Sequence, residues 1–161
     1  AGIKREERAA ILMLDSIDHV EVFWGCLKAG VIAVPINTLL AGAVYDTILS
    51  DSRASCLFVS AALLQVVKPV LAKNDHIRKV IVVGDHPLED GLESYQTFTK
   101  GAPELVAVAV SPDETAFWLY SSGSTGQPKG VRHVHSNLQA TSDTYGAKIL
   151  GLIQILGKFK S

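Results

Sequence analysis

Short apolar runs recur along this chain, each pair separated by a stretch long enough to hold a helix. Residues 9–14 (A-A-I-L-M-L), 31–36 (V-I-A-V-P-I), 55–59 (S-C-L-F-V), 79–83 (K-V-I-V-V) and 115–120 (T-A-F-W-L-Y) each read as a buried strand. After the first run, Asp15 or Ser16 can cap a helix whose apolar positions include Val20, Phe23, Trp24 and Leu27, and Gly30 stops it. Residues 43–49 and 61–73 carry further helical patterns, the second bent or shortened by Pro69. Residues 131–135 suit a last strand and 137–150 a last helix. Connections of this length are crossovers, and crossovers join parallel strands. The pattern therefore predicts an α/β fold: a mainly parallel sheet flanked by helices on both faces. Residues 85–112, punctuated by Pro87, Gly91, Gly101, Pro103 and Pro112, read as a surface connection with some short structure.

Composition narrows the function classes. Of 161 residues, 48% are apolar and 19% charged, which suits one domain with a real core. The formal net charge of −1 comes with no basic block. Neither nucleic acid nor a membrane surface finds an electrostatic basis here, and no apolar run is long enough to span a bilayer. Cys26 and Cys56 sit inside apolar segments without metal-ligand spacing, so they read as buried thiols in a reducing compartment. A cytoplasmic location is expected. The chain opens on Ala1 rather than Met and so reads as a cut or processed product, with a lost leader as an open alternative.

Residues 120–131, Y-S-S-G-S-T-G-Q-P-K-G-V, carry the chemistry. A loop that holds a polyphosphate must bring backbone N–H groups, hydroxyls and a positive charge to several phosphate oxygens. Gly123, Gly126 and Gly130 permit tight turns and close backbone approach. Ser121, Ser122, Ser124 and Thr125 supply hydroxyls, Lys129 supplies the cation, and Pro128 stiffens the chain before it. A flexible Gly/Ser linker is the plain alternative; the preceding strand and the following Pro-Lys-Gly argue against it. The spacing fits neither G-x-x-x-x-G-K-[ST] nor G-x-G-x-x-G. Tyr120 is expected to pack under the loop, and Trp24 and Trp118 to lie in the core. His133 and His135, two apart on a strand, would face one side. They could share a metal, but no third ligand is near, and structural histidines are the simpler reading.

The loop closely resembles the signature of the adenylate-forming superfamily, the acyl- and aryl-CoA synthetases and their relatives. Every position from Tyr120 to Gly130 fits that pattern. Residues 27–37, L-K-A-G-V-I-A-V-P-I-N, resemble the family's upstream L-K-A-G-x-x-x-x-P segment. V-P-I-N-T-L-L, F-W-L-Y-S-S-G-S-T-G and V-R-H-V-H look most like benzoate–CoA ligases. The resemblance implies ATP, Mg²⁺ and coenzyme A as reactants and cofactors, and a small-molecule carboxylic acid as substrate. It implies that Ser121, Ser122, Ser124 and Thr125 offer donors to the β- and γ-phosphates. Gly123 and Gly126 would let the backbone wrap them, and Lys129 would add charge or fix the loop; Gly130 belongs to the same phosphate-binding loop.

The later motifs of the family are missing from this sequence. No Tyr-Gly-x-Thr-Glu segment occurs; Tyr145-Gly146 is followed by Ala147-Lys148. The ribose-binding Asp, the hinge and the C-terminal domain with its catalytic Lys are also lacking. Residues 1–151 are thus expected to be part of the N-terminal domain. Residues 152–161 are expected to be a frame-shifted, truncated or artificial end, or a divergent natural continuation. Such a fragment is expected to be inactive alone and to self-associate through uncovered apolar surface. A fatty-acyl-CoA ligase, a peptide-synthetase adenylation domain and a non-catalytic nucleotide- or anion-binding module remain alternatives.

Overall fold

The computed structural model describes residues 2–87, 89–122 and 126–151. Its strands are β1 (Arg8–Leu12), β2 (Ile32–Pro35), β3 (Cys56–Ser60), β4 (Lys79–Val83), β5 (Leu92–Ser94), β6 (Thr115–Ser122) and β7 (Pro128–Val134). The helices are α1 (Ile17–Lys28), α2 (Gly42–Ser52), α3 (Leu64–Leu71), α4 (Tyr95–Thr99) and α5 (His135–Thr141). Among the described residues the strands form one sheet in the order β5-β4-β3-β1-β2-β6-β7. All neighbours run parallel except β7, which returns antiparallel along β6 and forms the edge. The expected mainly parallel α/β sheet is present.

Successive side chains on a strand face opposite sides, and β1 shows both sides buried. Ala10 and Leu12 join Leu57, Val59, Val80 and Val82 beneath α2 and α3, whose Tyr45, Ile48, Leu49, Leu64 and Val67 complete that layer. Ala9 and Ile11 join Phe58, Ile81 and Phe117 beneath Val22, Cys26 and Leu27 of α1, with Phe98 of α4 and Leu138 of α5 at the margin. A strand covered on both faces needs no polar alternation, which is why these runs are continuously apolar.

Local chemistry sets the element ends. Ser16 caps α1, its Oγ accepting from the His19 amide at 3.2 Å. Gly30, at φ +70°, turns the chain from that helix into β2. Residues 61–73 divide into a 3₁₀ turn, Ala61–Leu63, and the shorter α3. Pro69 stays inside α3 on its exposed side, where water can satisfy the carbonyl it leaves unpaired. Within residues 85–112, β5 pairs with β4 and α4 follows directly.

Two expectations are corrected. Trp24 is not core: it is 54% exposed. It lies two positions from Val22, about 200° around the helix from the face that packs on the sheet. The last helix begins at His135 rather than at residue 137. It leaves α geometry at Thr141 for a wider π-type turn over Ser142–Ile149, closed by the Leu150 amide on the Tyr145 carbonyl at 3.0 Å.

Candidate functional site

β6 carries Tyr120, Ser121 and Ser122 to the edge where the parallel strands end, the side on which open α/β sheets bind ligands. Ser121 and Ser122 are the last residues of a strand rather than part of a free loop, and Lys129 and Gly130 already belong to β7. The expected start of the last strand at residue 131 moves back to Pro128. Pro128, lacking an amide donor, is tolerated because β7 is an edge strand. The site is therefore the tip of an antiparallel hairpin. Gly123, Ser124 and Thr125 lie outside the described residues.

The register brings the two sides of the tip together. Ser121 stands opposite Lys129, Ser122 opposite Pro128 and Tyr120 opposite Gly130. Ser121, Ser122, Gly126 and Lys129 are exposed, and Gly126 adopts φ +80°, a conformation that favours glycine. The hydroxyls of Ser121 and Ser122 and the ammonium group of Lys129 thus stand exposed on paired strand ends. That set can donate several hydrogen bonds to an anion and place one positive charge beside it.

Gly130 is required for a reason other than the expected one. Its φ is not in the left-handed region. A Cβ there would meet Tyr120 Cζ at 3.1 Å and Oη at 3.2 Å, so the ring of Tyr120 occupies the space a side chain would need. Tyr120 packs beneath the tip, as expected. Its hydroxyl donates to Asp51 Oδ2 at 2.5 Å. Burial pushes the Tyr120 hydroxyl pKa well up. The bond to Asp51 and that carboxylate's charge push it the same way, against the opposing charge of Arg8. Asp51 was not found by sequence reasoning. It lies 69 residues away, in a helix whose sequence contains no motif.

The two histidines part company. His133 stacks on Phe117, centroids 4.7 Å apart and planes 1° from parallel. His135 opens α5, so the two do not share a strand face. Among the described residues no group of three or more His, Cys, Asp or Glu side chains is arranged to hold a metal ion. Cys26 and Cys56 are buried free thiols, and burial pushes each pKa up to about 12. A thiol in that state is a poor nucleophile.

The model of the AMP-binding enzyme family matches residues 1–153. The chain belongs to the AMP-binding enzyme family. It is 39% identical over 151 residues to a benzoate–CoA ligase of Thauera aromatica, covering 94% of this chain and 28% of that protein. The solved anthranilate CoA ligase AuaEII, in complex with anthranoyl-AMP, superposes with a TM-score of 0.87 at 33% identity, over 91% of this chain and 28% of that one. A benzoate CoA ligase from Burkholderia xenovorans LB400 gives 0.79 at 37% identity, over 93% and 28%. The chain thus spans a little over a quarter of the length of these relatives.

Proposed function

We propose that this chain supplies the phosphate-gripping part of an AMP-forming carboxylic acid–CoA ligase whose substrate is an aromatic acid such as benzoate. The observation that carries the proposal is the hairpin tip. An eleven-residue match to the adenylate-forming signature from Tyr120 to Gly130 falls where Ser121, Ser122 and Lys129 stand exposed at the ligand-binding edge of the sheet. The similarity to benzoate– and anthranilate–CoA ligases favours an aromatic acid.

In the first half-reaction a substrate carboxylate oxygen attacks the α-phosphorus of ATP. The bond from that phosphorus to the bridging oxygen breaks, and pyrophosphate leaves. In the second, the sulfur of coenzyme A attacks the acyl carbonyl, loses its proton and expels AMP. Negative charge gathers on the leaving pyrophosphate, so donors already aimed there lower the barrier. Ser121, Ser122, Ser124 and Thr125 donate to the β- and γ-phosphates, Gly123 and Gly126 admit the backbone to them, Gly130 makes room for the Tyr120 ring beneath the tip, and Lys129 balances charge. Mg²⁺ would arrive with ATP and share its phosphate charge; the described residues offer no clustered carboxylates for it.

We assign residues 1–151 to the N-terminal domain of such an enzyme, and expect the chain alone not to make acyl-CoA, because ribose, adenine and thioester groups are lacking. Within the complete ligase, Thr125→Ala and Lys129→Ala are expected to slow adenylate formation more than thioester formation from supplied acyl-adenylate. Single-turnover measurement of both half-reactions checks this. Equal slowing of the two steps counts against the assignment, as does acyl-CoA production by the purified chain.

A further inference from the structure

Besides the pairing of β6 with β2, one carboxylate ties the hairpin to α2. Asp51 lies in the last turn of α2, on the sheet face away from α1. Its Oδ2 accepts the Tyr120 hydroxyl at 2.5 Å, and the Tyr120 ring fills the space beside Gly130 on the neighbouring strand. Tyr120 and Gly130 are also register partners, so the carboxylate, the ring and both strands form one stack. Ser121 follows Tyr120 directly, and Lys129 directly precedes Gly130.

The anchoring end is itself held. The α2 C-terminus closes on Arg53 in the left-handed region, at φ +48°. Arg8 Nε donates to the Ser52 carbonyl at 2.8 Å and Arg8 Nη2 to the Arg53 carbonyl at 3.2 Å, while its guanidinium lies 6.0 Å over the Trp118 ring. Trp118 is two residues before Tyr120 on the same strand face. The start of β1, the end of α2 and the tip of β6 are therefore clipped together beside the loop.

We infer that Asp51 is a positioning residue for the phosphate loop: through Tyr120 and Gly130 it fixes the hairpin tip that presents Ser121, Ser122 and Lys129. Groups that must meet a polyphosphate work only within a narrow geometry, and that geometry is set by the shell behind them. A hydrogen bond to an ionised carboxylate is short and directional, suited to holding a ring in one place. The bound anion rests on the function proposed above; the locking of the hairpin does not.

The two parts are separable in one experiment on this chain. Amide hydrogen exchange is followed at Lys129, Gly130 and Val131, with β3 and β4 amides as the internal control. Affinity for inorganic tripolyphosphate is measured in parallel. Tyr120→Phe and Asp51→Ala are expected to speed exchange at the hairpin by roughly tenfold, the effect of losing one such bond, with β3 and β4 unchanged. Tripolyphosphate binding is expected to weaken several-fold in both. Asp51→Asn, which keeps an acceptor oxygen, should restore most of the protection. Unchanged hairpin exchange in Tyr120→Phe and Asp51→Ala overturns the positioning role. A loosened hairpin with tripolyphosphate unbound by every form, the wild type included, leaves the locking intact and overturns the phosphate reading instead.

Discussion

Gly130 shows how one position can be necessary for a reason its residue type does not announce. Glycine suggests φ freedom, yet the structure uses it for the missing Cβ beside Tyr120. Gly130→Ala must push a ring that is held by Asp51, so it is expected to lower the thermal midpoint and to speed amide exchange on β7. Gly126, at φ +80°, owes its identity to the backbone instead. Arg53 is the converse case: a side chain in the left-handed region where glycine costs less. Arg53→Gly is expected to stabilise the chain modestly, because relief of a left-handed penalty of about 1–2 kcal/mol outweighs glycine's entropic cost of roughly 0.5–1 kcal/mol and only the Arg53 carbonyl serves Arg8. Thermal or chemical denaturation reads this directly. A lower midpoint would show that the arginine side chain contributes contacts of its own.

At the scale of elements, β1 to β4 were legible because a strand buried on both faces must be apolar throughout, although the apolar run at residues 105–110 forms no strand. A cap at Asp15 or Ser16 and the stop at Gly30 were legible from residue type; the choice of Ser16 came from the structure. β5 was not, because Leu92–Ser94 is three partly buried residues amid turn formers. The early start of β7 was hidden by Pro128 and Gly130, poor strand formers that only an edge position and the Tyr120 contact make acceptable. The inward face of α1 was misjudged at Trp24 because an aromatic residue near a helix stripe reads as core, whereas position around the helix decides. Ser16→Ala should cost about 1 kcal/mol through loss of the α1 cap, measured as a shift in denaturation midpoint.

Backbone amides and ion pairs lower three carboxyl groups and so contribute to the acid behaviour of the molecule. The Glu7 carboxyl lies below its ordinary 4.5, held there first by the Lys4 amide and then by Arg78. Glu114 is lowered by the Ser111 amide and by Arg5, and Glu89 by Lys68. Each folded pKa is below the unfolded value, so the unfolded chain binds more protons as the pH drops. The stabilisation is complete above about 4.5 and is lost as pH falls through the folded values. Thermal midpoints should therefore fall on acidification below that point, and less steeply in a Glu7→Gln, Glu114→Gln variant. Identical slopes for variant and wild type would place the acid sensitivity elsewhere.

The same scale bears on association. Trp24, Val20 and Ile17 are exposed along α1, and Val106 and Val108 in the segment before β6. Apolar surface of this kind is expected to drive self-association of the isolated chain, visible as a concentration-dependent mass in sedimentation. A monomer at all concentrations would contradict that expectation. The hairpin's grip on ATP is read by placing residues 1–151 in the matching segment of the Thauera aromatica benzoate–CoA ligase and measuring benzoate-dependent ATP–pyrophosphate exchange. The folded chimera should exchange, and Thr125→Ala or Lys129→Ala within it should reduce the rate at least about tenfold. A folded chimera without exchange, or with exchange indifferent to both substitutions, would contradict the account.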